Sequence, residues 1–200
     1  MSTNLTGLET IQQYAETRAL VSSFVEGDHP RGPLQPIAYH IRKITILDPR
    51  YPDLVMAMYN DSRGLTESSQ YAGIFFNCNY SNDVKITVRN KDFLDRLAGR
   101  NSGKPSIFGD IETGKKVVVE NKSGSFEIIK PQFAKTASLL PEIFKIHQLL
   151  RVGINDKNPS FVPELQSKSI AGIYILNQWI FDFEQLDRLW DVAEELKLIL

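Results

Sequence analysis

The sequence predicts an α+β fold, an antiparallel sheet built from successive hairpins with helices packed on one side. Three observations carry this expectation. The 200 residues are 42% hydrophobic and 24% charged, the balance of a globular chain long enough to close one sizeable core. A layout of strand, tight turn, strand and amphipathic helix recurs three times, over about residues 71–99, 115–152 and 170–200. Hairpins joined by helices imply antiparallel pairing, because a doubly wound parallel sheet needs single strands alternating with helices. The whole chain, 1–200, reads as one domain.

The first element predicted is a helix over 6–26. Thr6 and Glu9 have capping-box spacing, Leu8, Ile11, Ala15 and Val21 recur at helical intervals, and Gly27 and Pro30 follow as stop signals. Ile37 to Leu47 is rich in β-branched residues and predicts a strand, bulged near Arg42 and Lys43 where the alternation slips. Two prolines in the turn Asp48 to Asp53 favour a second strand over a short helix for Leu54 to Tyr59.

The three repeated units follow. In the first, Gly73 to Asn79 and Val84 to Arg89 flank the turn Ser81-Asn82-Asp83, and Asn90 caps a helix through Phe93, Leu94 and Leu97. In the second, Lys116 to Glu120 turns at Asn121 to Gly124 and returns as Ser125 to Ile129. A helical segment then opens at Pro131, broken at Pro141, and runs through Ile143, Ile146 and Leu150 to Gly153. In the third, Ile170 to Leu176 turns at Asn177 and Gln178 and returns through Trp179 to Phe181. Asp182 then caps a last helix that carries Phe183, Leu186, Trp190, Ala193 and Leu196 on one face. Three long polar stretches, 61–70, 100–114 and 152–169, are the expected places for ligand or partner contact.

Composition bounds the chemistry. No apolar run is long enough to span a membrane, so no membrane association is expected. A lone cysteine, Cys78, makes no internal disulfide and agrees with a cytoplasmic location. Net charge is −1, but residues 85–151 hold 13 basic against 7 acidic side chains. Within that basic stretch Arg89, Lys91, Arg100, Lys104, Lys115 and Lys116 are the candidate anion or nucleic-acid contacts. The stretch Gly99 to Pro105 is not a phosphate loop. Three residues instead of four separate its glycines, proline follows Lys104 where a hydroxyl must hold magnesium, and it trails a helix instead of a strand.

No metal site, cofactor site or catalytic set is expected. His29, His40 and His147 are scattered, and no serine sits in a nucleophile elbow. The expected function is therefore a non-catalytic protein-interaction or regulatory module that contacts another protein, with a homodimer among its forms, through long loops and the exposed side or edge of its sheet. Trp179, beside a hairpin turn, and Phe108 are the expected interface residues. Two alternatives stand beside it. One is an anion or nucleic-acid binder using 85–151; the other is a small enzyme combining His40 or His147 with loop acids such as Asp110.

Overall fold

The computed structural model describes residues 6–32, 37–63, 69–92, 95, 97, 116–122, 131, 135–166 and 169–200. These form one eight-stranded sheet, antiparallel at every junction, with three α-helices. The α+β class and the antiparallel sheet agree with expectation. The repeated unit of hairpin plus helix does not appear, because helices do not follow each hairpin.

Helix α1 spans Gly7–Thr17. It opens on the expected capping box: Thr6 Oγ1 accepts from the Glu9 N–H at 3.3 Å, and the Glu9 carboxylate accepts from the Thr6 N–H at 2.7 Å. It ends nine residues sooner than predicted. Ala19 sits at φ 52°, the Leu20 N–H donates to Ala15 O at 2.9 Å, and the Ala19 N–H donates to Glu16 O at 3.1 Å. This pair of bonds is the Schellman stop, built here on alanine where glycine is usual. The chain then enters strand β1, Val21–His29, in place of the last turns of helix.

Strands β2 (Tyr39–Leu47), β3 (Val55–Asp61) and β4 (Gln70–Cys78) continue from β1 as a meander. The register of β2 is unbroken on both sides, so the expected bulge at Arg42 and Lys43 is absent; Leu54 to Tyr59 is strand, as favoured. After β4 the chain leaves a gap. Strands β5 (Ile86–Asn90) and β6 (Val117–Asn121) pair at the far side, and helix α2 (Leu140–Ile146) follows. Strand β7 (Arg151–Ile154) then pairs with β5, and β8 (Ser169–Leu176) closes the space between β7 and β4. The order β1-β2-β3-β4-β8-β7-β5-β6 means that β4 and β5 flank a turn yet never pair, contrary to the predicted hairpin. Residues 179–181 are not a returning strand either; β8 leads, through an unpaired stretch, into helix α3, Phe183–Ile199. The return strand predicted at 125–129 lies outside the described residues.

Strand periodicity sorts the side chains onto two faces. Toward the helices point Ile44, Ile46, Met56, Met58, Ile74, Phe76, Ile86, Val88, Val152 and Ile173, meeting Ile11 and Tyr14 of α1, Ile143 of α2 and Trp190 of α3. Helix α3 has the predicted cap, with the Asp182 carboxylate accepting from the Gln185 N–H at 2.9 Å, and the predicted buried stripe. Arg18 and Tyr14 of α1 both reach Asp187 of α3, tying the two helices together.

The opposite face has a smaller core over β3, β4 and β8, roofed by Phe161, Val162 and Leu165 from the segment between β7 and β8. Two glycines make this packing feasible. A Cβ on Gly172 would lie 2.6 Å from the Phe75 ring, and one on Gly153 would lie 2.9 Å from the Tyr174 ring. The aromatic rings rest directly on backbone there. Asn155, at φ 50°, pins the roof: its amide donates to Ser81 O and Val84 O and accepts from Ser169 Oγ and the Ile170 N–H. No helix among the described residues is long and apolar enough to cross a membrane.

Candidate functional site

Of the six basic residues singled out in the sequence, Arg89, Lys91 and Lys116 are among the described residues. Arg89 projects from β5 and is consumed by acids: Asp95 and Glu120 accept from its guanidinium, and Asp92 lies 3.7 Å away. Hydrogen bonds from Arg89, against the cost of burial, hold the Asp95 carboxyl well below its ordinary range, so this is a closed ion-pair cluster. Lys91 and Lys116 are neighbours, the Lys91 N–H donating to Lys116 O at 2.8 Å across the start of the β5–β6 pair. Arg100, Lys104, Lys115 and Phe108 lie outside the described residues.

Trp179, the other expected interface residue, is instead 8% exposed and part of the core beneath the helices, with the Arg42 guanidinium 5.9 Å from its ring. Its apolar surface is already spent inside the chain, which is the commoner fate of tryptophan.

Catalytic groupings fare no better among the described residues. His40 Nδ1 lies 2.7 Å from Asp28 at the sheet edge, whereas His147 Nδ1 accepts from the Leu149 N–H beyond α2. His29 stacks on Tyr39. No group of three His, Cys, Asp or Glu among the described residues stands ready for a metal ion. Burial pushes the Cys78 thiol above its ordinary value, which disfavours the nucleophilic thiolate. A cavity of about 10 Å3 between the sheet and α3 is lined mainly by apolar side chains, among them Met56, Met58, Ile180 and Leu189.

Two strands end the sheet, the five-residue β6 and the nine-residue β1. The outward half of the β1 N–H and C=O groups has no neighbouring strand among the described residues. Edge strands are ordinarily blunted by brevity, proline, a bulge, charged side chains or a covering segment. β1 is nine residues long, without Pro or Lys, its register runs unbroken from Val21↔Leu47 to His29↔Tyr39, and its two charges, Glu26 and Asp28, lie on the same face as Phe24. Its outer-face valines, Val21 and Val25, stand 61% and 55% exposed. Phe24 on the other face packs against the main core and anchors the strand. Of the two acids, Glu26 pairs with Arg42, and Asp28 Oδ1 lies 2.7 Å from His40 Nδ1. The result is a long edge of unbroken register.

Sequence reasoning misses this site because it assigns Val21 to Phe24 to a helix. The available signal is the β-branched and aromatic run Val21-Ser22-Ser23-Phe24-Val25, which suits a strand better than a helix. No family model matches the chain, and no curated protein or solved structure matches it significantly.

Proposed function

We propose that this protein is a non-catalytic interaction module that engages another polypeptide by adding a strand at β1. One observation carries the reading: among the described residues, a nine-residue edge strand without proline, lysine or bulge, with two exposed valines, paired along its whole length with β2. Strand addition draws its affinity from main-chain hydrogen bonds that the edge already presents, and its selectivity from alternate side chains, here Val21, Ser23 and Val25 on one face. Among the described residues, the closed ion pairs around Arg89 and the small, mainly apolar cavity under α3 supply no comparable feature for anion binding or catalysis.

A photo-reactive phenylalanine placed at Val25, with Glu195 on the exposed side of α3 as the comparison position, tests the reading in cells that make the protein. Protein adducts from position 25 and not from position 195 are expected. Adducts from 195 alone, or from neither position, would refute strand addition at β1.

A further inference from the structure

Resting on that reading, we infer that the strand added at β1 is the β1 of a second copy of this chain, paired antiparallel about a two-fold axis through Val25. The nine residues Val21–His29 have Val25 at their centre, so this register alone pairs the whole strand with itself. It sets Val25 against Val25 of the second copy, Phe24 against Glu26, Ser23 against Gly27, Ser22 against Asp28 and Val21 against His29. No two like charges stand directly opposite, which removes the main penalty on cross-strand pairs. A shift of the axis by two residues, to Gly27, sets Glu26 against Asp28 and loses four of the nine pairs.

The faces also agree. In antiparallel pairing directly opposite residues share a face. The outer faces of the two copies therefore join, bringing the two exposed Val25 side chains together at the axis, while the inner faces stay continuous with the helix-covered cores. Glu26 of each copy keeps Arg42 as its partner. Pairing with a second copy closes both open edges in one step, the isologous arrangement that most soluble homo-oligomers use. A foreign strand satisfies one edge and brings another of its own.

The register makes a sharp test possible. In a Cys78→Ser background, Val25→Cys places two thiols across the axis, about 4.5–5.5 Å apart at Cα, inside disulfide range. Val21→Cys places its pair about 27 Å apart, at about 3.3 Å per residue over eight residues, far outside it. Under mild oxidation, rapid covalent dimer from the Val25→Cys variant and none from the Val21→Cys variant is expected. Native mass spectrometry of the unmodified chain should show dimer, and Val25→Lys, with two ammonium groups facing across the axis, should raise the dissociation constant by at least about tenfold. Efficient covalent dimer from Val21→Cys, or a chain that stays monomeric at micromolar concentration with no disulfide formed by Val25→Cys, overturns the inference. If position 25 still cross-links to a different protein, strand addition at β1 survives and only self-pairing falls. If position 25 yields no protein adduct at all, both fall.

Discussion

Strands β1 and β8 are nearly equal in length, nine and eight residues, yet every residue of β8 is buried and none of β1 is. Part of the contrast is compositional, since Ser169–Leu176 is almost wholly apolar and Val21–His29 has only three apolar side chains, Val21, Phe24 and Val25. The larger part is position. β8 is slotted between β4 and β7, with helices on one face and the Phe161 to Leu165 roof on the other, whereas among the described residues β1 has one neighbouring strand and no roof. The centre of the sheet carries the packed core, and the proposed strand addition falls on the edge outside it.

Glycine substitutions give the largest expected difference between the two strands. A Cβ at Gly172 in β8 would lie 2.6 Å from the Phe75 ring and 2.7 Å from the Ile74 carbonyl, so Gly172→Ala should cost about 3 kcal/mol, with backbone obliged to move. In β1 a Cβ at Gly27 meets His29 Nε2 alone, at 3.6 Å. Gly27→Ala should be neutral or stabilising by up to ~1 kcal/mol, because alanine has less unfolded-state entropy to lose. Urea melts of the two variants measure this directly. Equal losses would show that β1 is as tightly packed as the centre.

Alkali should also strike the centre and leave the edge alone. Burial raises the Tyr71 and Tyr174 phenols, with Asp156 adding to the effect at Tyr174. Burial and then Asp187 raise Tyr14, and the hydrogen bond to Asp191, followed by burial, pushes Tyr51 up to about 12. Each is held neutral in the folded chain beyond the pH near 10 at which it ionises when unfolded. Their contribution is therefore intact below about pH 10 and is lost as pH rises from there through the folded values. Between about pH 9 and 11 stability should fall by at least about 2 kcal/mol, a drop in Tm of ~4–8 °C for a chain of this size. The tyrosinate absorbance should appear together with unfolding. β1 has no tyrosine, so self-association should persist unchanged up to the onset of unfolding. Tyrosinate signal that rises well before unfolding would mean that these phenols are not held in the core.

Which parts of this are legible in the sequence follows from whether the deciding contacts are local. Helix α3 is legible because its cap, Asp182, and its stripe from Phe183 to Leu196 lie within one run of chain. The same holds for the α1 capping box. Strand β7 reads in the sequence as the end of a helix and the start of a loop. Its four residues are strand only because β5 and β8, 61 or more residues away on one side and 15 on the other, pair with it at Ile86↔Ile154 and Ile154↔Ala171. The turn at Ser81 is also genuine, with the Val84 N–H donating to Ser81 O at 3.0 Å, but a turn fixes chain direction and not pairing, and β8 and β7 are inserted between the strands it joins. Arg89 looks like a free cation in the sequence because its partners Asp95 and Glu120 come from a neighbouring segment and strand, six and thirty-one residues away. The β1 edge is hidden by one residue.

That residue is Ala19, the joint between the helix that belongs to the core and the strand that does not. A helix stop is ordinarily announced by glycine, and alanine there prompts continuation of the helical pattern to Val21 and beyond. The left-handed conformation at φ 52° costs an L-residue about 1–2 kcal/mol, a cost glycine avoids. Offsetting this, glycine adds unfolded-state entropy, so Ala19→Gly should stabilise the protein by a net ~0.5–1 kcal/mol, read as a rise in Tm of ~1–4 °C. Because the Schellman bonds from Ala19 and Leu20 fix where β1 begins, the same variant should leave the Val21↔Leu47 pairing, and dimerisation through Val25, unaltered. A destabilised Ala19→Gly with a longer helix by circular dichroism would instead mean that residues 18–24 favour the helix their periodicity suggests, and that the edge strand exists only in competition with it.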